Sequence, residues 1–196
     1  MPFIKKPEHL LTIEDFKYAL SSRYQHTRYD PYGSQGIEAD RHAFRPIGFQ
    51  RNQELSILQI RNDVPKEIAG AFGPNAFNGI APYYTNVLDT PSVYRDTKEH
   101  FDIKNMYWLT QAIATIVDEH PFRYSASVEE LKQQTLAAGR HILLETDSEV
   151  EKLTGEELQM KLQKANDQTA KAAYDAAMKC FGDCVETGAL QIKLNY

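Results

Sequence analysis

Cysteine, tryptophan and methionine are scarce, at two, one and four in 196 residues. Cys180 and Cys184 cannot form a disulfide framework or a cysteine-rich metal scaffold. A chain of this length needs neither, because it can bury roughly 70% of the surface its unfolded form exposes. Apolar runs are short. None approaches the roughly 18 residues of a spanning helix, and Met1 to Pro7 lacks the apolar centre of a signal peptide. The expectation is a cytoplasmic chain with no membrane partner. Blocks of like charge are also missing: 22 Lys and Arg against 27 Asp and Glu give a net charge of -5, spread along the sequence. Without a polybasic stripe to neutralise phosphates, nucleic acid is not expected as a partner. No GxSxG elbow, Walker-type phosphate loop, HExxH helix or GxGxxG turn occurs. No internal repeat or low-complexity tract stands out.

Composition changes near residue 90. Gly, Pro, aromatic and β-branched residues concentrate before it, and Ala, Leu, Glu, Lys and Gln after it. This predicts one α+β domain over residues 1–196, with loops and strands over 1–90 and mainly helices over 91–196. Thr12 with Asp15 three residues on, followed by Ile13, Phe16 and Leu20 at helical spacing, predicts a short helix ending near Ser22. Arg23 to Ala43, with the turn formers Asp30-Pro31-Tyr32-Gly33 and Gly36, reads as a long surface loop. Long loops in compact domains are often functional, which makes this one a candidate site.

Strands are predicted at Phe44 to Gln50 and Glu54 to Arg61, as a hairpin, and at Lys66 to Phe72, which stops at Gly73-Pro74. The stretch Asn75 to Tyr84 is ambiguous. A helix follows from Asn105, with Met106, Leu109, Ile113 and Ile116 on its core face and Pro121 beyond its end. A second is expected from Ser127, capped by its hydroxyl, toward Leu144. A third begins at Thr154, with Leu158, Leu162, Ala165, Thr169, Ala172, Ala176 and Cys180 on one narrow face. Leu190, Ile192 and Leu194 alternate with polar residues, as in a short final strand or a tail.

Chemistry-bearing residues are dispersed. His26 and His42 share a loop with Asp30 and Asp40, but polar residues in such a loop are usually just solvated, and neither a metal nor another cofactor is implied. Cys180 and Cys184 are four apart on a helix with only Lys179 as a basic neighbour, so they read as plain thiols. Arg41 and Arg45, at the start of the first predicted strand, suit a clamp for a substrate carboxylate, because a guanidinium donates two parallel bonds; the alternative is a pair of surface charges.

Several separated strings, in order, carry a resemblance: LTIEDFKYALSSRYQ (Leu11 to Gln25), YDPYG (Tyr29 to Gly33), FRPIG (Phe44 to Gly48), LSILQIR (Leu55 to Arg61), AFGPNAFN (Ala71 to Asn78), PYYTNVLDTP (Pro82 to Pro91) and Tyr107-Trp108. From Leu11 to Trp108 the chain resembles the C-terminal half of the dipeptidase A family. These are cysteine peptidases of the N-terminal-nucleophile hydrolase class, related to bile salt hydrolases and penicillin acylases. Beyond Trp108 the likeness is only one of helix length and composition.

The resemblance implies hydrolysis of dipeptides by an N-terminal cysteine whose own α-amino group is the base, acting through a thioester. That cysteine has no counterpart in this chain. Cys180 and Cys184, in mid-chain, cannot replace it, so the chain alone is expected to be inactive. The implied fold is a four-layer αββα sandwich of which this chain supplies part. Its sheet would then have exposed edges, to be met by an N-terminal half or a second copy. By analogy with bile salt hydrolases, either Arg45 or Arg41 would line the substrate pocket. Asn86 is a further pocket candidate, since an amide can bond a substrate carbonyl, with capping of the turn before Asp89-Thr90-Pro91 as the alternative.

Three readings follow from the sequence: the C-terminal fragment of a dipeptidase, one subunit of a split dipeptidase completed by a separate N-terminal chain, or a noncatalytic module whose alanine-faced helix, with Ala172 and Ala176, docks a partner helix.

Overall fold

A computed structural model describes residues 6–49, 52–61, 67–72 and 76–192, the strand 67–72 through its backbone. The chain divides into two compact units, Met1–Phe49 and Gln50–Tyr196. The compositional change near residue 90 therefore falls inside the second unit, where sheet gives way to helices.

In the first unit, α1 (Ile13–Leu20) starts as its sequence predicts. The Thr12 hydroxyl accepts the Asp15 N–H at 3.2 Å, and the Asp15 carboxylate accepts the Thr12 N–H at 2.8 Å. These bonds, the Thr12 backbone first among them, hold the Asp15 carboxyl below its ordinary range. The long loop that follows contains a single helical turn, α2 (Glu38–Arg41).

The strand expected at Phe44 to Gln50 does not form over its described residues, 44–49. Pro46 has no N–H for a ladder. The Gly48 N–H is spent on the Ser22 carbonyl at 2.7 Å, so the segment is tied to the end of α1 instead of to a sheet. The backbone of Ser21 lies where a Cβ at position 48 would stand, so only glycine permits this approach.

The second unit opens with an antiparallel sheet in the order β1 (Glu54–Gln59), β2 (Glu67–Phe72), β3 (Ala81–Tyr84). Ser56 pairs with Gly70, and Gly70 with Ala81. The α+β reading with antiparallel strands ahead of helices holds. The ambiguous stretch supplies β3.

A 3-10 turn (Ser92–Tyr94) leads to three helices, α3 (Met106–Glu119), α4 (Ser125–Val150) and α5 (Gly155–Ala189). The Asn105 side chain caps α3 by accepting the Tyr107 N–H at 3.0 Å. α4 begins before Ser127, with no side-chain cap. The Ser125 hydroxyl instead donates back to the Phe122 carbonyl at 2.9 Å. Thr154 precedes α5 but likewise makes no side-chain cap.

α5 packs on α4, α3 and β3. Having neighbours on several sides, it buries a broader stripe than the narrow face expected: Ala173, Ala176 and Ala177 are buried, whereas Ala172 is half-buried. That alanine face is used inside the chain, which removes it as the docking face for a partner helix. α4 approaches β3 through Gly139, where an added Cβ would lie 2.5 Å from Cδ of Pro82. The final-strand reading lies largely outside the described residues; of it, Leu190 and Ile192 are exposed. Among the described residues no helix is long and apolar enough to cross a membrane.

Candidate functional site

The loop Thr85 to Pro91 leaves β3 with a cleft on either side. The larger, of about 570 Å³, is bounded by Glu54 and Ser56 from β1, Tyr83 and Tyr84 from β3, the loop itself, Tyr94 and Asn166. The second, of about 520 Å³, lies between the same loop, Arg95 and the α5 residues Gln163, Asp167 and Lys171.

The loop is fixed by polar bonds to α5 and within itself. The Asp89 N–H donates to Gln163 Oε1 at 2.9 Å, and the Asp89 carboxylate accepts the Thr90 N–H at 2.8 Å while pairing with Arg95. Asn166, buried on α5, donates its amide to the Tyr84 carbonyl and accepts the Tyr84 N–H, both at 2.9 Å. A side-chain amide thus does at the outer edge of β3 what a fourth strand would do. The edge exposure expected of the sheet is met at Tyr84 by α5, and it was not foreseeable that a helix would supply the partner.

Two phenols face each other at the floor of the larger cleft. The Tyr83 and Tyr94 hydroxyls lie 2.7 Å apart, with the rings edge to face at 5.7 Å. Burial pushes the Tyr94 phenol up to about 12, partly opposed by the bond from Tyr83. It also raises Tyr83, whose loss of a proton the neighbouring Tyr94 disfavours further. Near neutrality both are hydrogen-bonding hydroxyls and neither is a base. Among the described residues, the lining of the two clefts includes neither Cys nor His. Among the described residues the clefts thus hold no cysteine nucleophile with a histidine base.

Cys180 and Cys184 are free thiols buried at 2% and 0% exposure. The hydrogen bond between them raises the Cys180 thiol, as does burial, and lowers that of Cys184. Neither thiol has a path to a substrate.

Arg41 and Arg45 belong to the first unit and stand on no strand. Arg41 ends α2 and directs Nη1 toward the carbonyls of Gly33 and Gly36, at 3.5 and 3.4 Å. Arg45 is exposed, with its guanidinium 4.6 Å from the centroid of Phe49. The loop also holds a pair that sequence reasoning missed: Arg23, whose guanidinium lies over the Tyr32 ring, has its Nε 3.6 Å from the carboxylate of buried Asp30. The sequence signal, an Arg and an Asp seven positions apart in a loop, is too common to single out. Asn86 is exposed on the cleft loop, and the turn bond there comes from Asp89. Among the described residues no group of three or more His, Cys, Asp or Glu is placed to hold a metal.

Residues 1–134 match the family model of peptidase family C69. The chain belongs to peptidase family C69. Its curated relatives include dipeptidase A of Lactobacillus helveticus, 43% identical over 199 residues, which span all of this chain and 42% of the relative. Probable dipeptidase B of Lactococcus lactis subsp. lactis is 40% identical over 200 residues, again all of this chain and 42% of the relative. A dipeptidase of Bifidobacterium longum is 38% identical over 157 residues, covering 78% of this chain and 30% of its own length. The chain spans about two-fifths of the length of the first two, and the alignment with them runs past Trp108, through all of α5.

Proposed function

We propose that this chain forms the C-terminal part of a thiol-dependent dipeptidase and contributes to substrate binding, with the nucleophilic cysteine supplied by another part of the enzyme. The reading is carried by one observation: the whole chain aligns with 42% of the length of proteins named as dipeptidases. The burial of both cysteines supports it, because neither can be the nucleophile. In the proposed chemistry a cysteine thiolate attacks the peptide carbonyl, the C–N bond breaks as the amine takes a proton, and water then hydrolyses the thioester.

In this reading the sheet is part of an αββα sandwich. Its support is the sheet order: α5 meets the edge of β3 at Tyr84, while β1 is the opposite edge strand, with no strand paired beyond it among the described residues. The further strands of the sandwich belong to the remainder of the longer protein, joined to this chain or supplied as a separate subunit. Of the two arginines, Arg45 is the better placed to meet a substrate carboxylate, because its guanidinium is exposed whereas Arg41 is directed at loop carbonyls.

The test is dipeptide hydrolysis by the chain alone and after co-expression with the missing portion of a C69 dipeptidase. Expected is no activity alone, activity on reassembly that iodoacetamide abolishes, and full activity of the reassembled Cys180→Ser/Cys184→Ser variant. Hydrolysis by the chain alone that disappears in that variant would overturn the reading.

A further inference from the structure

Arg23, in the first unit, is set differently from Arg41 and Arg45. The Asp30 carboxylate, on a residue only 5% exposed, draws its Nε to 3.6 Å, and the Tyr32 ring takes one face of the guanidinium, with Cζ 5.1 Å from the ring centroid. Tight turns bring these residues together. The Arg23 N–H donates to Gln25 Oε1 at 2.9 Å, the Thr27 N–H to the Tyr24 carbonyl at 3.1 Å, and the Asp30 N–H to the Thr27 carbonyl at 3.2 Å. Within these turns Tyr24 and His26 hold φ at 63° and 62°, a left-handed conformation that is costly for a residue with a side chain and persists only where the surroundings enforce it.

Asp30 does not use up the cation. It approaches through Nε alone, from beyond hydrogen-bond reach, and Nε is buried with no other partner. The two Nη groups donate to none of the described residues and lie at the accessible end of a side chain that is 23% exposed. A guanidinium held at Nε and along one face keeps its Nη edge in a fixed plane, the geometry that receives both oxygens of a carboxylate.

We infer that Arg23 is a carboxylate clamp, with Asp30 and Tyr32 as the positioning residues that fix its plane. The preference for an anion with two coplanar oxygens follows from the fork; that the anion is the carboxyl end of a dipeptide rests on the dipeptidase reading. Arg23, more than the exposed Arg45, is then the arginine set in advance for substrate. Such a clamp also disfavours longer peptides, which present an uncharged amide where a dipeptide presents its carboxylate.

The test follows the Nε–H signals of this chain, labelled with nitrogen-15 arginine, in an NMR titration. The Arg23 signal is identified by its loss in Arg23→Lys. N-acetyl-alanyl-alanine carries only the carboxylate, and alanyl-alanine amide only the ammonium. Expected is a saturable shift of the Arg23 signal with the first probe, and none with the second or with sodium chloride at equal ionic strength. Arg23→Lys keeps the charge but not the fork, so the first probe, followed through the backbone amides of residues 24–30, should bind about tenfold more weakly. Tyr32→Phe should bind as the unaltered chain does, and Tyr32→Leu, which lacks the ring face, about fivefold more weakly. The amide signals of Thr12 and Asp15 report that the unit stays folded in each variant. Equal shifts with both probes or with the salt, an unmoved Arg23 signal, or unaltered affinity in Arg23→Lys would overturn the inference. On reassembly, Arg23→Lys should raise KM about tenfold with kcat kept, as expected when a binding contact is lost. Binding of the first probe with no hydrolysis on reassembly would instead sink the dipeptidase reading and leave the clamp standing. Hydrolysis with KM unchanged by Arg23→Lys would do the reverse.

Discussion

Replacing Asn166 with alanine should loosen the sheet from α5. Asn166 and Tyr84 are 3% and 4% exposed, so the Tyr84 N–H and C=O released by the substitution have no water to turn to. An orphaned buried group costs about 1–3 kcal/mol, which gives about 2–6 kcal/mol for the pair. The lower half of that range is expected, near 3 kcal/mol, because the variant no longer buries an amide of its own. With a urea slope of about 2 kcal/mol/M, the unfolding midpoint should fall by about 1.5 M. Trp108 is the only tryptophan and lies on α3 of the same unit, so its fluorescence follows the relevant transition. Asn166→Asp sharpens the comparison. It retains an acceptor for the Tyr84 N–H but sets an oxygen against the Tyr84 carbonyl, so its loss should be smaller in acid, where a protonated carboxyl can donate. A fall of less than about 0.3 M for Asn166→Ala would refute the reasoning and leave the apolar contacts of Leu162 and Ala165 with Tyr84 as what holds this edge.

Two mid-helix glycines should respond with opposite signs. At Gly139 an added Cβ meets the Pro82 ring, so Gly139→Val should cost about 1–3 kcal/mol and lower Tm by about 2–4 °C per kcal/mol. At Gly182 nothing lies within 4 Å, so Gly182→Ala should raise stability by about 0.5–1 kcal/mol in the same thermal scans. Because Tyr83 and Tyr94 have folded-state values raised above the ordinary 10.0, the unfolded chain releases these protons first. Their contribution to stability is therefore intact below about pH 10 and lost as pH rises toward about 12. Tyrosinate absorbance should show two late-titrating phenols, and Tyr94→Phe should remove one; titration of all phenols together near 10 would count against the buried pair. Cys180 and Cys184 should resist iodoacetamide in the folded chain and react once urea unfolds it, as mass spectrometry would count directly.

Elements whose signals are local were legible in the sequence. Thr12 and Asp15 are a reciprocal cap whatever surrounds them, and the spacing of Met106, Leu109 and Ile113 makes α3 independently of its neighbours. β1 and β2 followed from β-rich runs and the Gly73-Pro74 stop. Phe44 to Gln50 failed because a strand needs a partner, and over its described residues the available backbone bond went to Ser22. Arg41 and Arg45 lost their strand setting with it. Long-range pairs left no local trace: the bonds of Asn166 to Tyr84 and of Gln163 to Asp89 join residues more than seventy positions apart. A partially buried Arg61–Asp147 pair, with the Tyr84 hydroxyl on the same carboxylate at 2.8 Å, is invisible for the same reason.

The placement of the clefts then reduces to the geometry of one helix. Leu162 and Gln163, Asn166, and Ala170 recur on α5 at intervals of three and four, so they form one continuous stripe. Along it Leu162 packs with Tyr84, Gln163 holds the Asp89 N–H, Asn166 grips the Tyr84 backbone, and Ala170 seats Tyr83 beside Tyr94. The end of β3, the loop after it and the phenol floor are thereby referenced to a single rigid rod instead of to one another. A helix is also better suited to this role than another strand, because a strand would occupy the edge with its own backbone and close the space beside the loop. The amide of Asn166 satisfies the edge at one point and leaves room on both sides. Loosening α5 at any residue of this stripe should therefore widen both clefts together, whereas a change in β1 should alter only the larger one.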